Sequence, residues 1–188
     1  MDTAEPIELI YHARYGNTET VQAALTALYE RYHVSVYRYL YYRVGETQAA
    51  EDLTSEVFLR MIRALPGYRP QSVSFKAWLL QIARNLAIDH YRKTGGGEIV
   101  KLEDHLVDER AGVEVSVERG LTHQTLRKAL RGLSEEQRDV LILRFLVGMP
   151  IAETALALHK SQDAVKGLQR RALQSLKEIL LEWEVPYD

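Results

Sequence analysis

The sequence predicts an all-α protein made of two small helical domains joined by a flexible acidic linker. Apolar residues recur every three or four positions over long stretches, as they do on the buried stripe of a helix. No segment of useful length alternates apolar and polar residues, so we expect no sheet. The glycine run at 95–97 opens a segment rich in Asp and Glu, which predicts a boundary between two domains.

The first predicted helix extends from Thr18 to Val44, as one long helix or two in series, and Gly45 ends it. Thr47 is expected to cap the next helix. The predicted buried face of that helix consists of Leu53, Val57, Phe58, Met61, Ile62 and Leu65. Pro66-Gly67 then breaks the chain, and a loop leads to Val73.

Residues 74–93 form a predicted helix with two usable faces. The face expected to dock on a core carries Phe75, Trp78, Leu79, Ile82 and Leu86. The opposite face carries Leu80, Arg84, Ile88, Tyr91 and Arg92. Apolar and aromatic groups beside guanidinium groups suit a nucleic acid, because cations meet phosphates while flat groups meet bases. A core helix with an ordinary basic end is an equal alternative on this segment alone.

The C-terminal part predicts a helix over Leu121–Arg131 and a capping box at Ser134-Glu135-Glu136-Gln137, which starts a helix to about Val147. A short helix over Ile151–Leu158 precedes Ser161, which caps a second helix to about Leu181. The buried stripe of this second helix consists of Val165, Leu168, Ala172, Leu176 and Ile179. Two helices joined by a short turn are typical of a helix-turn-helix, whose second helix enters the major groove.

The outward face of this second helix is expected to meet a DNA duplex. It carries Gln162, Asp163, Lys166, Gly167, Arg170 and Arg171. Glycine at 167 would let a backbone or a base come close. The turn places His159 where glycine is common, so this histidine must adopt a left-handed backbone conformation. A three-helix bundle without DNA contact is the alternative interpretation.

Composition limits the classes of function. The net charge of −2, with three Lys and Arg against seven Asp and Glu in 94–124, predicts weak binding to free duplex. No cysteine is present, no His-x-x-x-His pair occurs, and the glycines at 95–97 stand in the wrong order for a P-loop. We therefore expect no enzyme, no cofactor and no metal site. The N-terminus lacks a signal peptide and no apolar run is long enough for a membrane span, which predicts a cytoplasmic protein without membrane insertion.

Several segments together resemble a bacterial extracytoplasmic-function (ECF) RNA polymerase sigma factor of the sigma-70 family, over about Ala24 to Leu180. Residues 77–92 are similar to the region 2.3–2.4 signature and are the most specific segment. The other matching segments are Leu28–His33 for region 2.1, Ala50–Arg60 for region 2.2, and Leu133–Leu141, Ala164–Lys166 and Arg170–Leu173 for region 4. Two independent regions in the right order are stronger evidence for the family than either region alone.

The resemblance implies a domain order and a function. Residues 21–93 would form the region 2 domain, 94–120 the acidic linker and 121–181 the region 4 domain, with 1–20 an N-terminal extension and 182–188 a tail. Such a protein binds core RNA polymerase and directs promoter-specific transcription initiation. Stand-alone helix-turn-helix regulators and helical adaptors that bind only protein are the alternatives.

The resemblance also implies sites. Region 2.2 would bind the β′ clamp helices of core polymerase through Asp52, Glu56 and Arg60, and region 4 would meet the β flap. The −10 promoter element would be opened and held by Tyr68, Arg69, Lys76, Arg84, Tyr91 and Arg92. The −35 element would be read by Gln162, Asp163, Lys166, Gly167, Arg170 and Arg171, with Lys166 and Arg170 foremost. The linker would enter the RNA path of the polymerase, and an anti-sigma factor would be a further partner.

Overall fold

The computed structural model describes residues 6–70, 73–94 and 123–184, which form helices and connecting turns without a strand. In chain order the helices are α1 (Ile7–Tyr15), α2 (Thr18–Val44), α3 (Thr47–Ala64), α4 (Phe75–Lys93), α5 (residues 123–131), α6 (Glu135–Leu141), α7 (Ile151–Leu158) and α8 (Gln162–Glu184). The prediction of an all-α chain is confirmed. Apart from Thr94, the predicted linker lies outside the described residues. None of the described helices has the length and apolarity needed to cross a membrane.

Short polar motifs set several helix ends as the sequence predicts. Helix α2 is one continuous helix. Gly45 ends it with a left-handed backbone, at a φ of 82°. Ser134 and Gln137 form the complete capping box at the start of α6. The Ser161 hydroxyl accepts a hydrogen bond of 3.2 Å from the backbone N–H of Ala164 at the start of α8. These bonds satisfy amide groups that a helix start otherwise leaves without partners.

Three local predictions are wrong. Glu46, not Thr47, occupies the N-cap of α3, and its side chain makes no capping bond. Ile62 is 44% exposed, because it lies at the margin of the buried stripe of α3. The helix that starts at Ser134 does not stay α-helical to Val147. It changes to a π-helical turn at Ile142–Leu146, which shifts the register of the side chains that follow.

The N-terminal unit, α1–α4, is built on pairwise packing of α2, α3 and α4. Leu28, Tyr39, Val57, Phe75 and Leu79 are at most 1% exposed in its core. Helix α1 lies in the N-terminal extension and packs against α2. Arg14 of α1 donates hydrogen bonds to the carbonyl oxygens of Pro66, at 2.6 Å, and Tyr68, at 3.2 Å. The N-terminal extension therefore helps to fix the turn between α3 and α4.

The C-terminal unit, α5–α8, packs directly against the N-terminal unit. Helix α7 contacts α4, the π-helical turn contacts α2, and one continuous apolar core runs through both units. Leu80 of α4 is only 1% exposed, and Gln81 donates a 2.7 Å hydrogen bond to the Leu156 carbonyl of α7. The second face of α4, which was predicted to meet a nucleic acid, is therefore not an open surface in this structure. The C-terminal unit covers much of it.

Gly45 connects the two units, and its replacement by alanine should destabilise the fold. Its carbonyl accepts hydrogen bonds from Arg127 at 3.2 Å and Arg131 at 3.5 Å. Alanine at φ 82° is strained, and its Cβ would run into the Arg131 guanidinium. We expect Gly45→Ala to lower the free energy of unfolding by about 1–2 kcal/mol, measured by urea denaturation of the full chain.

Gly67→Ala is the matched control for this change. Gly67 has no positive φ, and a methyl group added to its Cα would meet no other atom within 4 Å. Its unfolding free energy should stay within about 0.5 kcal/mol of the parent or rise slightly. Equal destabilisation by both substitutions would contradict a special role for Gly45.

Candidate nucleic-acid interface

Helices α7 and α8 form a helix-turn-helix. The turn residue His159 has φ 53° and ψ 44°, which confirms the predicted left-handed conformation. Lys160 makes a 2.7 Å ion pair with Glu136 and so ties the turn to α6. Val165 and Ala172 of α8 are fully buried against the rest of the unit. This packing fixes which face of α8 points outward.

The outward face of α8 is open to solvent at its N-terminal end. Gln162, Asp163, Lys166, Arg170 and Arg171 are exposed, and Gly167 is partly exposed. Lys166 lies 3.1 Å from Asp163, with side chains 58% and 92% exposed, so this ion pair is weak and readily exchanged for a phosphate or base. A methyl group at Gly167 would make only an ordinary contact with Arg171, so packing does not require glycine here. All six residues predicted to read the −35 element thus share one accessible surface.

A second charged surface lies on α3. Asp52 and Arg60 are exposed and Glu56 is partly exposed. Arg60 donates a 2.8 Å hydrogen bond to Glu56, which lowers the pKa of that carboxyl below its usual value. Gln48 donates a 3.1 Å bond to Asp52. The three residues predicted to bind core polymerase therefore form one solvated patch that carries two negative charges and one positive charge.

The residues predicted to meet the −10 element do not form one open surface. Tyr68 is 3% exposed, donates a 2.8 Å hydrogen bond to the Val73 carbonyl, and packs against Phe75 and Trp78. This tyrosine lies in the core and offers no flat face to a base in this structure. Trp78 is only partly buried, so it carries more of the aromatic surface at this site than the sequence suggested.

Three of the other predicted −10 residues lie at the edge of the N-terminal unit. Arg69 and Arg92 are exposed. Lys76 is half-buried, and this burial lowers its pKa, while the nearby charge of Glu153 on α7 acts in the opposite direction. Lys76 therefore lies close to the C-terminal unit.

Arg84 and Tyr91, the remaining two, are bound by the C-terminal unit. The Arg84 Nε atom donates a 2.8 Å hydrogen bond to Oδ2 of Asp139. The Tyr91 hydroxyl accepts a 3.1 Å bond from Arg138. The guanidinium groups of Arg43 and Arg138 lie 5.1 and 5.9 Å from the centre of the Tyr91 ring. Both side chains are thus engaged within the protein.

Asp139 is the centre of this contact between the units. It is fully buried on α6 and accepts hydrogen bonds from Tyr39 at 2.8 Å, Arg43 at 3.0 Å and Arg84 at 2.8 Å. Two of these donors lie on α2 and one on α4. The carboxylate therefore joins three helices from both units.

The environment keeps Tyr39 and Arg43 in the form that their contacts with Asp139 need. Burial, together with the charge of Asp139, raises the pKa of Tyr39 well above its usual value, so Tyr39 stays protonated and donates. Burial alone would lower the pKa of Arg43, but the charges of Asp139 and Glu135 outweigh this effect and raise it. The cluster is therefore a carboxylate with two cations and one phenol donor.

Sequence reasoning missed Asp139 as an important residue. One signal was available, because Arg43 directly follows the aromatic and apolar run Tyr39-Leu40-Tyr41-Tyr42. All four residues of that run are buried in the structure. A cation within a fully buried helical segment needs a buried anion near it. The partner could not be chosen from sequence, since several acidic residues of the C-terminal unit had the right charge.

Comparison with known families identifies both units. Residues 28–96 match the sigma-70 region 2 family and residues 129–178 match the sigma-70 region 4 family. The chain is 40% identical over 185 residues to the ECF RNA polymerase sigma factor BldN of Streptomyces coelicolor, covering 95% of this chain and 67% of BldN. It is 37% identical over 157 residues to the ECF RNA polymerase sigma factor SigX of Bacillus subtilis, covering 80% of each.

A solved structure shares the arrangement of helices. The structure of CnrH in complex with the cytosolic domain of CnrY superposes with a TM-score of 0.71 at 25% identity, covering 96% of this chain and 99% of CnrH. The sequence matches, the order of the two regions and the helix-turn-helix agree with one another. The chain belongs to the sigma-70 family of RNA polymerase sigma factors, in its extracytoplasmic-function group.

Proposed function

We propose that this chain is a promoter-specificity subunit that binds core RNA polymerase and directs transcription initiation from its own set of promoters. The observation that carries the proposal is the exposed cationic face of α8, held outward by a helix-turn-helix in the unit that matches region 4. A recognition helix of this kind reads base edges in the major groove with its N-terminal residues. Lys166 and Arg170 are the foremost candidates for that reading at the −35 element.

The N-terminal unit has the two remaining tasks. The charged patch of Asp52, Glu56 and Arg60 on α3 docks on the β′ clamp helices of core polymerase, while the region 4 unit meets the β flap. Cationic and aromatic residues at and around α4 hold the opened −10 element. Arg69 and Arg92 are exposed in this structure and Trp78 is partly so, which supports their direct use.

The protein acts by binding and strand separation, in the cytoplasm, and carries out no chemistry of its own. Its net charge of −2 supports this division of labour. Counterion release by basic groups supplies most non-specific affinity for duplex DNA, and a nearly neutral chain has little of it. Core polymerase therefore supplies the holding energy, and the sigma subunit supplies the choice of site.

An anti-sigma factor is the second partner that we propose. The comparable structure of CnrH was obtained in complex with the cytosolic domain of CnrY, so a protein of this fold binds a protein partner. The proposed entry of the acidic linker into the RNA path of the polymerase concerns residues outside the described ranges and remains a prediction.

Reconstitution tests the proposed function directly. Purified chain mixed with core polymerase of Streptomyces coelicolor should co-elute with it in gel filtration and should start transcripts at discrete positions on a plasmid library with a randomised promoter region. Sequencing of the 5′ ends would then give the −35 and −10 elements. Transcripts without a shared upstream sequence, or the absence of co-elution, would contradict the proposed function.

Lys166→Ala and Arg170→Ala should each weaken use of the −35 element about fivefold or more, because each residue supplies one contact worth roughly 1–3 kcal/mol. The measurement is the transcript yield from a promoter found in that library, with both its elements intact. Co-elution with core polymerase should be unchanged.

Lys177→Ala is the matched control, since it removes the same charge from an exposed position farther along α8. Its transcript yield should match the parent protein. A loss of core binding by the Lys166 or Arg170 variant would show instead that these residues support the fold or the polymerase interface.

A further inference from the structure

The structure brings the two promoter-binding units into one closed body. Arg84 and Tyr91 of the N-terminal unit are held by Asp139 and Arg138 of α6, at 2.8 and 3.1 Å. While these contacts last, the Nε atom of Arg84 and the hydroxyl of Tyr91 are occupied, and both side chains are only partly exposed. The closed arrangement therefore withholds part of the surface that the proposed function assigns to the −10 element.

The spacing of promoter elements is incompatible with this closed body. Elements centred at −10 and −35 are about 25 base pairs apart, which is about 85 Å along B-form DNA. A compact chain of 188 residues has a radius of gyration of about 16 Å, so its two ends cannot reach both elements together. The units must separate before both can bind one promoter.

The length of the chain between the units permits that separation. A segment as long as 95–122 can span at most about 95 Å when fully extended, at about 3.4 Å per residue. Connectivity is therefore no barrier to opening. What holds the units together is the contact surface between them.

The centre of that surface is charged and incompletely satisfied. The side chains of Arg43 and Asp139 are both fully buried at 3.0 Å. Within the described residues, Nη1 and Nη2 of Arg43 have no hydrogen-bond acceptor, although Nη2 lies 3.3 Å from Glu135 as an ion pair. Burying such ions is costly, and water would satisfy all of them after opening. Such an interface is stable while every buried ion keeps its partner. It can be opened by a binding partner that supplies other contacts to the separated units.

We propose that Asp139 is a latch that keeps the free protein closed. Through Tyr39, Arg43 and Arg84 it fixes α6 to α2 and α4, and it withholds Arg84 and Tyr91 from DNA until core polymerase separates the units. The effect of the latch on polymerase and DNA binding rests on the proposed function, whereas the closed state itself is a property of the free chain. Its consequence is that the apparent affinity for polymerase is reduced by the fraction of molecules that are open.

The chain offers a clean measurement of opening, because it contains no cysteine. Cysteines introduced by Ala23→Cys on α2 and Lys177→Cys on α8, both at exposed positions, would carry spin labels at unique sites. Pulsed electron paramagnetic resonance on the free full chain should give one narrow distance distribution. Asp139→Asn should add a longer and broader population and raise the open-to-closed ratio at least about tenfold.

The physical reason is that Asp139→Asn keeps the size of the side chain and removes its charge. In the closed state Arg84 would then lose its anion, and the fully buried Arg43 would keep only the ion pair with the half-exposed Glu135. Both losses are unfavourable for ions away from water. The hydrogen-bond donors to the Asp139 side chain, Tyr39, Arg43 and Arg84, all lie in the other unit, so the fold of the C-terminal unit should survive. Arg84→Gln breaks the same latch from the opposite side and should act in the same direction.

Glu136→Gln is the matched control, because it removes one negative charge from the same helix while its ion partner Lys160 lies within the C-terminal unit. This variant should stay closed. Unchanged distances in both Asp139→Asn and Arg84→Gln, or equal opening by Glu136→Gln, would overturn the latch. Circular dichroism of each variant checks that the helices are intact, and Arg84→Gln decides the question if Asp139→Asn loses them.

A binding measurement links the latch to function and separates the two claims. Asp139→Asn should bind core polymerase at a lower concentration than the parent chain, by the factor through which the open fraction increases. Failure of the parent chain to bind polymerase at all would contradict the proposed function and leave the distance result standing. Opening without any gain in binding would show that the closed state does not restrain polymerase, and would overturn that part of the inference.

Discussion

A buried carboxylate cannot remain charged in a protein interior without cations or donors around it, and this constraint organises the molecule. Asp139 meets it with Tyr39 and Arg43 from α2 and Arg84 from α4. Those three donors come from the unit that matches region 2, whereas Asp139 belongs to the unit that matches region 4. This requirement accounts for the burial of Arg43, and together with the hydrogen bonds at Gly45 and Gln81 it sets the relative position of the units. Apolar contacts around Asp139, such as those of the buried Leu80, stabilise the contact between the units without fixing its geometry.

Helix α4 shows how one segment serves packing and recognition at once. Phe75 and Leu79 are buried in the N-terminal unit, which fixes the rotation of the helix about its axis. That rotation points Arg84 toward α6, on the side of the helix opposite Phe75. A face shaped to bind phosphates and bases also suits a carboxylate, because guanidinium groups bind both kinds of anion with the same geometry. The proposed competition between the C-terminal unit and DNA for this face would follow directly from its chemistry.

Sequence patterns predicted local structure well and the contact between the units poorly. Gly45, the Ser134 capping box and the left-handed His159 are decided by residues within a few positions of each other, so their signals are local. Leu80 was assigned to an open face, since periodicity separates faces of a helix but does not tell solvent from a neighbouring unit. Tyr68 was expected at a DNA surface for its type and position, whereas its packing on Phe75 depends on the turn geometry. The outward set on α8 was predictable because the buried stripe leaves only one other face.

Stability and function place opposite demands on the contact between the units. A fully apolar interface of the same shape would often be as stable as a buried ion cluster or more so, but separating it would expose apolar surface to water. Arg43, Arg84 and Asp139 become well-hydrated groups on separation, so opening carries a smaller penalty once another partner compensates for the lost contacts. A charged centre within an apolar rim therefore gives a closed state that is specific in geometry and still reversible. Such a contact suits a subunit that must leave its compact state each time it enters a holoenzyme.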